Sequence, residues 1–514
     1  MRQGKGRTLL MLHLLTLLWI LPSTSAALAK GRPAAVAGAF YSADPAKLRA
    51  GIEAYLEDAL PARSERPLAL IAPHAGYIYS GQIAADAYGQ AIGRDYDLIV
   101  ILGTNHTAAG FKGVSVYDGS GYNTPLGLAP IDRQITQRLL TAEEVSFNPI
   151  VHAREHSIEV QVPFVQVAFP GVPIVAAVIG APDLDLCQRF ARTLIRAIDG
   201  RRPLIVASSD LSHYPTYGNA VKVDLETLAG VRTLDPASLQ RTIAQQSKLG
   251  APGLATRACG DAPMLTAMVA ARALGAKSAR ILSYANSGDA LIGDRSRVVG
   301  YGSVSFISDP PDTDGSSPWQ TPNPAAPGKL TNEERRELLR FARDSIERYL
   351  ETETTPLPRQ AAGPLWQRQG LFVTLEKGGE LRGCQGFVQT DLPMATLVGR
   401  SALQAAFKDP RFEPVTPAEL GEIDISISLL GRLGRVASTS QIQMGVDGVL
   451  LVKNGRRALF LPEVAEQFGL SRPEFLDQLC LKAGLLGGCW EKGADLQTFR
   501  TESFSESELK AAGP

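Results

Sequence analysis

Short apolar runs alternate with amphipathic helical segments along the first half of the chain. The runs PLALIAP, DLIVILG, VPIVAAVIG and PLIVASS have the length and composition of buried strands, whereas GQIAADAYGQAI and LCQRFARTLIRAI carry apolar residues at helical spacing. Strands that alternate with helices are typical of a sheet covered on both faces. This part of the sequence therefore predicts an α/β domain with a largely buried sheet.

The pattern changes in the second half of the chain. A helix is followed by the strand LFVTLE, the helix ATLVGRSALQAAF, the strands DISISLL and GVLLVKN, and further helices. This order predicts a smaller α+β domain. Residues 308–330 are dense in Pro, Ser, Asp and Gly and predict a linker, after which Thr331 and Glu334 form a capping box that starts the next helix. The predicted domains are residues 30–307 and 331–508.

Length and charge agree with this division. A chain of 514 residues is longer than the roughly 250 to 300 residues at which one hydrophobic core usually stops growing. Its 52 basic and 52 acidic residues cancel, which removes the electrostatic signature of a nucleic-acid-binding protein. We therefore expect two globular domains and no nucleic-acid partner.

The chain begins with the features of a secretory signal peptide. Basic residues precede the apolar run TLLMLHLLTLLWIL, and Ala27-Leu28-Ala29 offers a cleavage site. The run is shorter than the roughly 20 residues that span a bilayer. We predict that residues 1–29 are removed and that the mature protein is exported to the periplasm or another extracytoplasmic space, without a stable membrane span. An uncleaved anchor is the alternative.

Cysteine usage excludes a fold held together by many disulfides. The chain has five cysteines, at positions 187, 259, 384, 480 and 489. Because the number is odd, at least one thiol stays unpaired, and a dense disulfide framework is not what stabilises the protein. Cys480 and Cys489 could pair, and the sequence leaves this open.

Polar motifs follow three of the predicted strands. His74 follows PLALIAP, His106 follows DLIVILG, and Asp210 with His213 follow PLIVASS. In open α/β sheets, ligand sites form outside the carboxyl ends of the strands, so we expect one crevice to receive these four side chains. Asp210 precedes His213 by three residues and could orient its ring. His152 is expected to be structural.

Cys259 lies in the motif RACGDAP, just before a predicted helix that Asp261 could cap and Pro263 could open. A thiol near a helix N-terminus has its thiolate favoured, and the thiolate is the form that binds metals. We expect Cys259 to be a third ligand beside His74 and His106. Two imidazoles and a thiolate suit iron, copper or zinc and leave positions open for substrate or oxygen.

In the segment AREHSIEVQVPFV, His156 lies between two carboxylates. On a helix, Glu155, His156 and Glu159 could share a face, which makes His156 a candidate proton carrier. Each candidate alone has a plainer interpretation, since a histidine is often a structural hydrogen-bonding group and Cys259 could be a small buried apolar residue. Four of the five histidines outside the signal peptide follow strands or lie in this acidic motif. That concentration favours a functional site.

The motifs GAFY, IAPHAGYIYSG, ILGTNH, REHSIEVQVPF, SSDLSHY, ACGDAP and SYANSGD follow one another along residues 33–306. Together they resemble the Memo family, also called protein B of the AmmeMemoRadiSam system. The resemblance implies the fold of LigB-type class III extradiol dioxygenases, a non-haem iron architecture. It also implies that His74, His106 and Cys259 are metal ligands, with iron or copper as the metal.

Further site residues are implied by the same resemblance. Asp210 and His213 match residues that line the metal pocket, Tyr79 matches a pocket tyrosine, and Phe40 stands where some members have tryptophan. Cys259 takes the place of the glutamate ligand of the true dioxygenases. The resemblance implies redox chemistry, while some animal relatives are described as signalling adaptors.

The second half resembles the AMMECR family, protein A of the same system, through LFVTLEKGGELRGCQGFV, SALQAAFKDPRFEPVTPAEL, DISISLL and GVDGVLLVKNGRRALFLPEVA. Cys384 beside Arg382 could be an activated thiolate in a tight turn, or a packed structural cysteine. This half contains no histidine, so a Cys-His pair would need a base from the first domain. The resemblance places Asp409, Arg411 and Glu413 near Cys384.

These observations favour a metal-dependent, oxidoreductase-like protein that binds iron or copper, or else zinc, and acts on an unknown small molecule or peptide. His213 or His156 would move protons, and Asp210 would orient His213. One alternative is a binding or scaffold module that captures a ligand without turnover. Another is an accessory or substrate of a radical-SAM protein of the same system.

Overall fold

The computed structural model describes residues 31–63, 65–249, 251–310, 330–357, 365, 367–388 and 392–511. The predicted signal peptide lies outside the described residues, and so does the predicted linker except for its ends. Within the described part, no helix is both long and apolar enough to cross a membrane.

The first domain alternates strands and helices. Its strands are β1 (Ala69–Ala72), β2 (Leu98–Thr104), β3 (Val114–Val116), β4 (Gly121–Thr124), β5 (Gly127–Pro130), β6 (Val145–Ser146), β7 (Ile174–Ile179), β8 (Pro203–Ser208), β9 (Ser278–Asn286) and β10 (Gly300–Ile307). Its helices are α1 (Pro45–Glu57), α2 (Tyr77–Gly89), α3 (Arg133–Leu139), α4 (Pro149–Ala153), α5 (Gln161–Ala168), α6 (Leu184–Ala197), α7 (Tyr217–Arg232), α8 (Pro236–Leu249) and α9 (Asp261–Ala273).

Eight of these strands form one sheet in the order β6-β3-β7-β2-β8-β1-β10-β9. The four central strands β7, β2, β8 and β1 are mutually parallel, and β3 on one side and β10 on the other pair antiparallel to them. Every residue of the four central strands is buried. The prediction of an α/β domain with a largely buried sheet is therefore confirmed.

Two apolar layers cover the faces of this sheet. Alternate residues of β1 point to opposite faces, so that Ile71 joins one core with Phe190 of α6 and Met268 of α9. Leu70 joins the other core with Phe164 of α5. Because both faces are covered by helices, the strand ends are left as the open part of the sheet, where polar side chains can gather.

The second domain contains two separate sheets. Its strands are β11 (Leu371–Lys377), β12 (Glu380–Phe387), β13 (Ile423–Leu430), β14 (Gly434–Arg435), β15 (Gly448–Lys453), β16 (Arg456–Phe460), β17 (Asp495–Phe499) and β18 (Thr501–Ser505). Its α-helices are α10 (Asn332–Thr352), α11 (Met394–Phe407), α12 (Pro417–Leu420), α13 (Glu463–Gln467), α14 (Arg472–Lys482) and α15 (Glu506–Ala511), and a 3-10 turn covers Thr439–Gln441.

The two sheets have the orders β12-β11-β13-β18 and β14-β17-β15-β16, and their strands pair antiparallel. α10 begins at the predicted capping box, in which Thr331 and Glu334 bind each other's backbone N–H groups. The prediction overlooked β12. It forms a hairpin with β11 through Gly378 and Gly379, whose φ angles of 61° and 82° suit glycine in a tight turn.

One disulfide lies in the second domain. Cys480 of α14 and Cys489 are bonded, which answers the question that the sequence left open. Cys187, Cys259 and Cys384 are free thiols. Cys187 is fully buried in the core of the first domain, whereas the other two are partly exposed.

Candidate metal centre

Three neighbouring parallel strands deliver polar side chains to one crevice. His74 follows β1, His106 follows β2, and Asp210 with His213 follow β8, which lies between them in the sheet. The ring centroids of His74 and His106 are 5.2 Å apart. The strand-end pattern in the sequence thus gave the correct location for this cluster.

His74 is buried and held at both its backbone and its ring. Its ring Nδ1 lies 3.0 Å from the hydroxyl of Ser208, which leaves Nε2 at 3.1 Å from the sulfur of Cys259. Burial and then the neighbouring imidazoles, His106 first, hold the pKa of His74 well below its usual range. The ring is therefore a neutral imidazole, the form that binds a metal ion.

His106 is oriented by Glu155. The two oxygens of that carboxylate accept hydrogen bonds from the His106 ring Nδ1 at 2.9 Å and from its backbone N–H at 2.6 Å. Burial raises the pKa of Glu155, but these hydrogen bonds and the one from the Ser157 N–H outweigh it and lower the pKa to about 2. An ionised carboxylate on Nδ1 keeps the proton there and leaves Nε2 of His106 free to act as a ligand.

Residues 154–160 are not helical, so Glu155, His156 and Glu159 do not share the helical face that their spacing would allow. α5 begins only at Gln161, and residues 154–160 form bends and turns, because Glu155 accepts the N–H groups of His156 and Ser157. The His156 ring instead stacks on the His106 ring, with centroids 4.6 Å apart, and meets the Phe40 ring edge-on at 4.9 Å. Burial lowers the pKa of His156.

Glu159 does not share a face with His156. It forms a fully buried ion pair with Arg32 at 2.5 Å and accepts further hydrogen bonds from the hydroxyl of Tyr41 and the N–H groups of Ala35 and Val36. Arg32 also donates to the carbonyl oxygen of His152. Glu159 therefore anchors the start of the first domain, a role that the sequence did not indicate.

Asp210 mainly holds the loop that follows β1. Its Oδ1 accepts the N–H groups of His74 at 2.7 Å and Ala75 at 3.2 Å, whereas its Oδ2 is 4.0 Å from Nε2 of His213. Asp210 therefore does not orient His213 through a direct hydrogen bond, as a simple form of the prediction would require. Within the described residues, the buried Nε2 of His213 has no hydrogen-bond partner.

Cys259 reaches the cluster by a different local structure from the one predicted. The N-cap of α9 is Gly260, Asp261 is the first helical residue, and no side chain caps the helix. Burial and the nearby Asp210 carboxylate raise the pKa of Cys259 well above its usual range. Without a metal ion the group is therefore a thiol, and the expected preference for the thiolate is wrong.

Two overlapping sets of side chains each bring their ligand atoms within 4.8 Å of one another. One set is His74, His106 and His156, and the other is His74, Asp210 and Cys259. The predicted ligands His74, His106 and Cys259 are therefore brought together around His74 but divided between two sets. His156, which the sequence analysis named as a proton carrier and not as a ligand, is the added ligand candidate.

Two further residues named from the sequence are Tyr79 and His152. Tyr79, on α2, packs onto a small apolar cluster that includes Tyr301. His152 is buried between the hydroxyls of Ser115 at 3.0 Å and Tyr122 at 2.9 Å, and burial lowers its pKa to about 3. The structural interpretation of His152 is therefore confirmed.

Cys384 in the second domain lies on β12 and not in a tight turn. Its sulfur accepts a hydrogen bond from Thr374 at 3.3 Å, and its N–H donates to Asp409 at 2.9 Å. Burial raises the pKa of Cys384, although Thr374 and the nearby cations Arg411 and Lys482 oppose this rise. Of the two interpretations that the sequence left open, the raised pKa favours the packed structural cysteine over the activated thiolate.

Arg382 does not assist Cys384. The pairing of β12 with β11 passes from Leu381 to Gly383, so Arg382 is a bulge residue, and its guanidinium binds both oxygens of Glu419 at 3.0 and 3.1 Å. Asp409 and Arg411 form an ion pair at 2.6 Å beside Cys384, as the resemblance implied. Glu413 is exposed.

Comparison with known proteins agrees with both halves of this structure. The family model described as Memo-like protein matches residues 32–305, and the model described as AMMECR1 matches residues 339–504. A MEMO1 family protein of Desulfurococcus amylolyticus is 36% identical over 291 residues, which are 54% of this chain and 99% of that protein. One from Sulfolobus acidocaldarius is 37% identical over 53% of this chain and 98% of that protein.

Among solved structures, an uncharacterized protein from Pyrococcus horikoshii shares 32% identity with this chain. The match covers 36% of this chain and 96% of that one, with a TM-score of 0.34. The relatives named above match the first half of the chain over almost their whole length. The chain belongs to the Memo family and carries an AMMECR1 domain in its second half.

Proposed function

We propose that the first domain binds a first-row transition metal through His74, His106 and Cys259 and supports oxidoreductase-like chemistry on a small molecule. Iron or copper is the proposed metal, with zinc as the third candidate. The observation that carries this proposal is the convergence of three imidazoles and one thiol at the carboxyl ends of parallel strands. Imidazole nitrogen and cysteine sulfur are ligands that all three metals accept.

The protonation states of the donors fit a metal site. The lowered pKa of His74 keeps its ring neutral, so no proton has to leave before it binds a metal. Cys259 would lose its proton on binding, which makes metal affinity increase with pH. The hydrogen bonds from Ser208 and Glu155 fix the rings of His74 and His106 with Nε2 available.

The surrounding residues would position a substrate and move a proton. A bound iron or copper ion supplies Lewis-acid or one-electron chemistry at its open coordination positions. Nε2 of His213 is buried in the same crevice and lacks a partner there, so it is the group that we assign to proton transfer. His156 is the second candidate for this role, and Tyr79 and Phe40 would line the pocket.

Metal analysis of the purified full chain tests the proposal. We expect wild-type protein to hold a stoichiometric amount of iron, copper or zinc, and His74→Ala and Cys259→Ala to lose nearly all of it. Cys384→Ala removes a comparable thiol from the other domain and is the matched control. Equally low metal content in wild type and all variants would overturn the proposal.

The third ligand can be identified in the same experiment. Because His74, His106 and His156 form a set of their own, His156→Ala separates the two ligand arrangements. If Cys259 is the third ligand, His156→Ala keeps its metal while Cys259→Ala does not. The reverse result would assign the site to three histidines and would remove the thiolate from the proposal.

The fold relationship, the partner protein and the cellular location are also parts of the proposal. A LigB-type dioxygenase-like fold and a radical-SAM protein as partner are parts of this proposal that rest on the sequence resemblance. Export is supported by the disulfide between Cys480 and Cys489, because disulfides persist mainly in oxidising compartments. Cell fractionation, with mass spectrometry of the mature N-terminus, tests export; full-length protein in the cytoplasm would contradict it.

A further inference from the structure

The end of α10 in the second domain packs against α1 of the first domain. Arg348 forms an ion pair with Asp58 and covers the ring of Tyr55 at 5.3 Å, and Lys47 pairs with Glu353 at 3.0 Å. These contacts join residues that are 290 to 306 positions apart in the sequence. We call the surface between α1 and the end of α10 the first patch, and these ion pairs are its charged part.

The same patch has a tightly packed apolar part. Thr352 and Thr354 are each about nine-tenths or more buried, and a Cβ added to Gly51 of α1 would lie only 2.8 Å from a methyl carbon of Thr354. Such close packing requires glycine on the first-domain side. The segment after α10 is therefore fitted to this surface and does not merely lie beside it.

The first patch continues to the wall of the candidate metal centre. Leu357 packs onto the cluster around Tyr301, together with Ala75 and Tyr79. Ala75 follows His74 directly and donates its N–H to Asp210. The second domain thus contributes an apolar side chain to the same cluster as the residue that follows His74.

A second patch lies on the loop that follows β9. Arg400 of α11 is 8% exposed and donates hydrogen bonds to the carbonyl oxygens of Gly288 at 3.3 Å and Ala290 at 2.8 Å. Leu291 in the same loop is 1% exposed, and a Cβ added to Gly399 would lie 2.8 Å from its methyl carbon. A guanidinium that satisfies two buried carbonyl groups is a strong and directional contact.

This loop is connected to His213. The N–H of Ser287 donates to the carbonyl oxygen of Val299 at 2.8 Å, and Val299 forms a β-bridge with His213. The two patches therefore both reach the surroundings of the crevice, one through the β1 loop and one through Val299, the bridge partner of His213.

We infer that the AMMECR1 domain is a docked partner of the Memo domain, bound to the rim of the crevice through these two patches, and that it stays bound when the linker is cut. The Memo half is a protein in its own right, since the relatives from Desulfurococcus amylolyticus and Sulfolobus acidocaldarius match it over 98% or more of their length. The linker raises the effective concentration of the second domain, but the interface provides the specificity.

The test uses the full chain with a site-specific protease sequence inserted within residues 311–329. After cleavage, we expect both fragments to elute together from a gel-filtration column. Arg400→Ala and Leu357→Asp each remove a contact from one patch and should weaken the association about tenfold or more. Arg382→Ala, whose guanidinium binds within its own domain, is the matched control and should elute like wild type.

Separate elution of two folded fragments from cleaved wild-type protein would overturn the inference. Hydrogen exchange on the uncut chain gives an independent measurement that does not depend on how the fragments behave after cleavage. We expect Arg400→Ala to speed the exchange of the amides of residues 286–291 relative to Arg382→Ala. Equal exchange in the two variants would show that Arg400 does not hold this loop, and would contradict the second patch.

Discussion

The two partly exposed thiols of this protein, Cys259 and Cys384, differ in the chemical groups that surround them. Burial raises the pKa of both Cys259 and Cys384, so neither is a thiolate on its own. Cys259 meets the ring nitrogen of His74, which can share a metal ion with it. Cys384 lies near Arg411 and Lys482, two cations that repel a metal ion and offer no lone pair. The adjacent groups therefore distinguish the two sites better than the pKa of the thiol does.

The Arg32–Glu159 ion pair of the first domain is fully buried, whereas the Arg382–Glu419 pair of the second domain is partly exposed. Replacing Arg32 with Met should leave Glu159 uncompensated in the core and cost about 3 to 5 kcal/mol of the free energy of unfolding. The change can be measured by calorimetry as a shift of the transition of the first domain. Arg382→Met breaks the ion pair with Glu419, which is partly exposed to solvent. This change should cost about 1 kcal/mol or less of the free energy of unfolding. Equal losses of unfolding free energy in Arg32→Met and Arg382→Met would contradict this difference between the two ion pairs.

Glu155 offers a sharper test of the metal centre. Glu155→Gln keeps the shape of the side chain but weakens the acceptor for the His106 ring and backbone, and metal affinity should fall about 10- to 100-fold. Competition with a coloured chelator measures this affinity. Asp409→Asn makes the same kind of change beside Cys384 and should leave metal affinity unchanged. An unaltered affinity in Glu155→Gln would mean that His106 is not a ligand.

The smallest effect is expected at Cys384 itself. Cys384→Ala removes one weak hydrogen bond from Thr374, so the free energy of unfolding should change by about 1 kcal/mol or less, with metal content unchanged. Denaturant titration of the full chain measures the first quantity. A large loss of any activity of the full chain, at unchanged stability and metal content, would instead assign a chemical role to Cys384.

The location of the candidate site could be predicted from the sequence because it depends on local pattern. An apolar run followed by a polar motif marks the end of a buried strand, and this pattern placed His74, His106 and His213 correctly. The sheet order brings β1, β8 and β2 side by side, so their ends meet. The same reasoning gave the capping box at Thr331, which involves residues only three apart.

The errors concern contacts between residues that are distant in the sequence. His156 and Glu159 could share a face on a helix, but Glu159 binds Arg32, 127 positions away. Arg382 and Cys384 are two residues apart, which puts side chains on the same face of a regular strand, but the bulge at Arg382 breaks that alternation. Periodicity cannot reveal either effect, because each depends on a partner strand or a partner charge.

The double hydrogen bond from the β1 loop to Asp210 has a consequence for how the protein would acquire the metal that we propose. The backbone at His74 and Ala75 is fixed by this carboxylate, and His106 is fixed by another, so hydrogen bonds within the protein hold these parts of the crevice in place. In small zinc proteins, by contrast, folding and metal uptake are one event. Here the chain would mature first and fill the site afterwards, so the metals available in its compartment at that time would decide which one it carries.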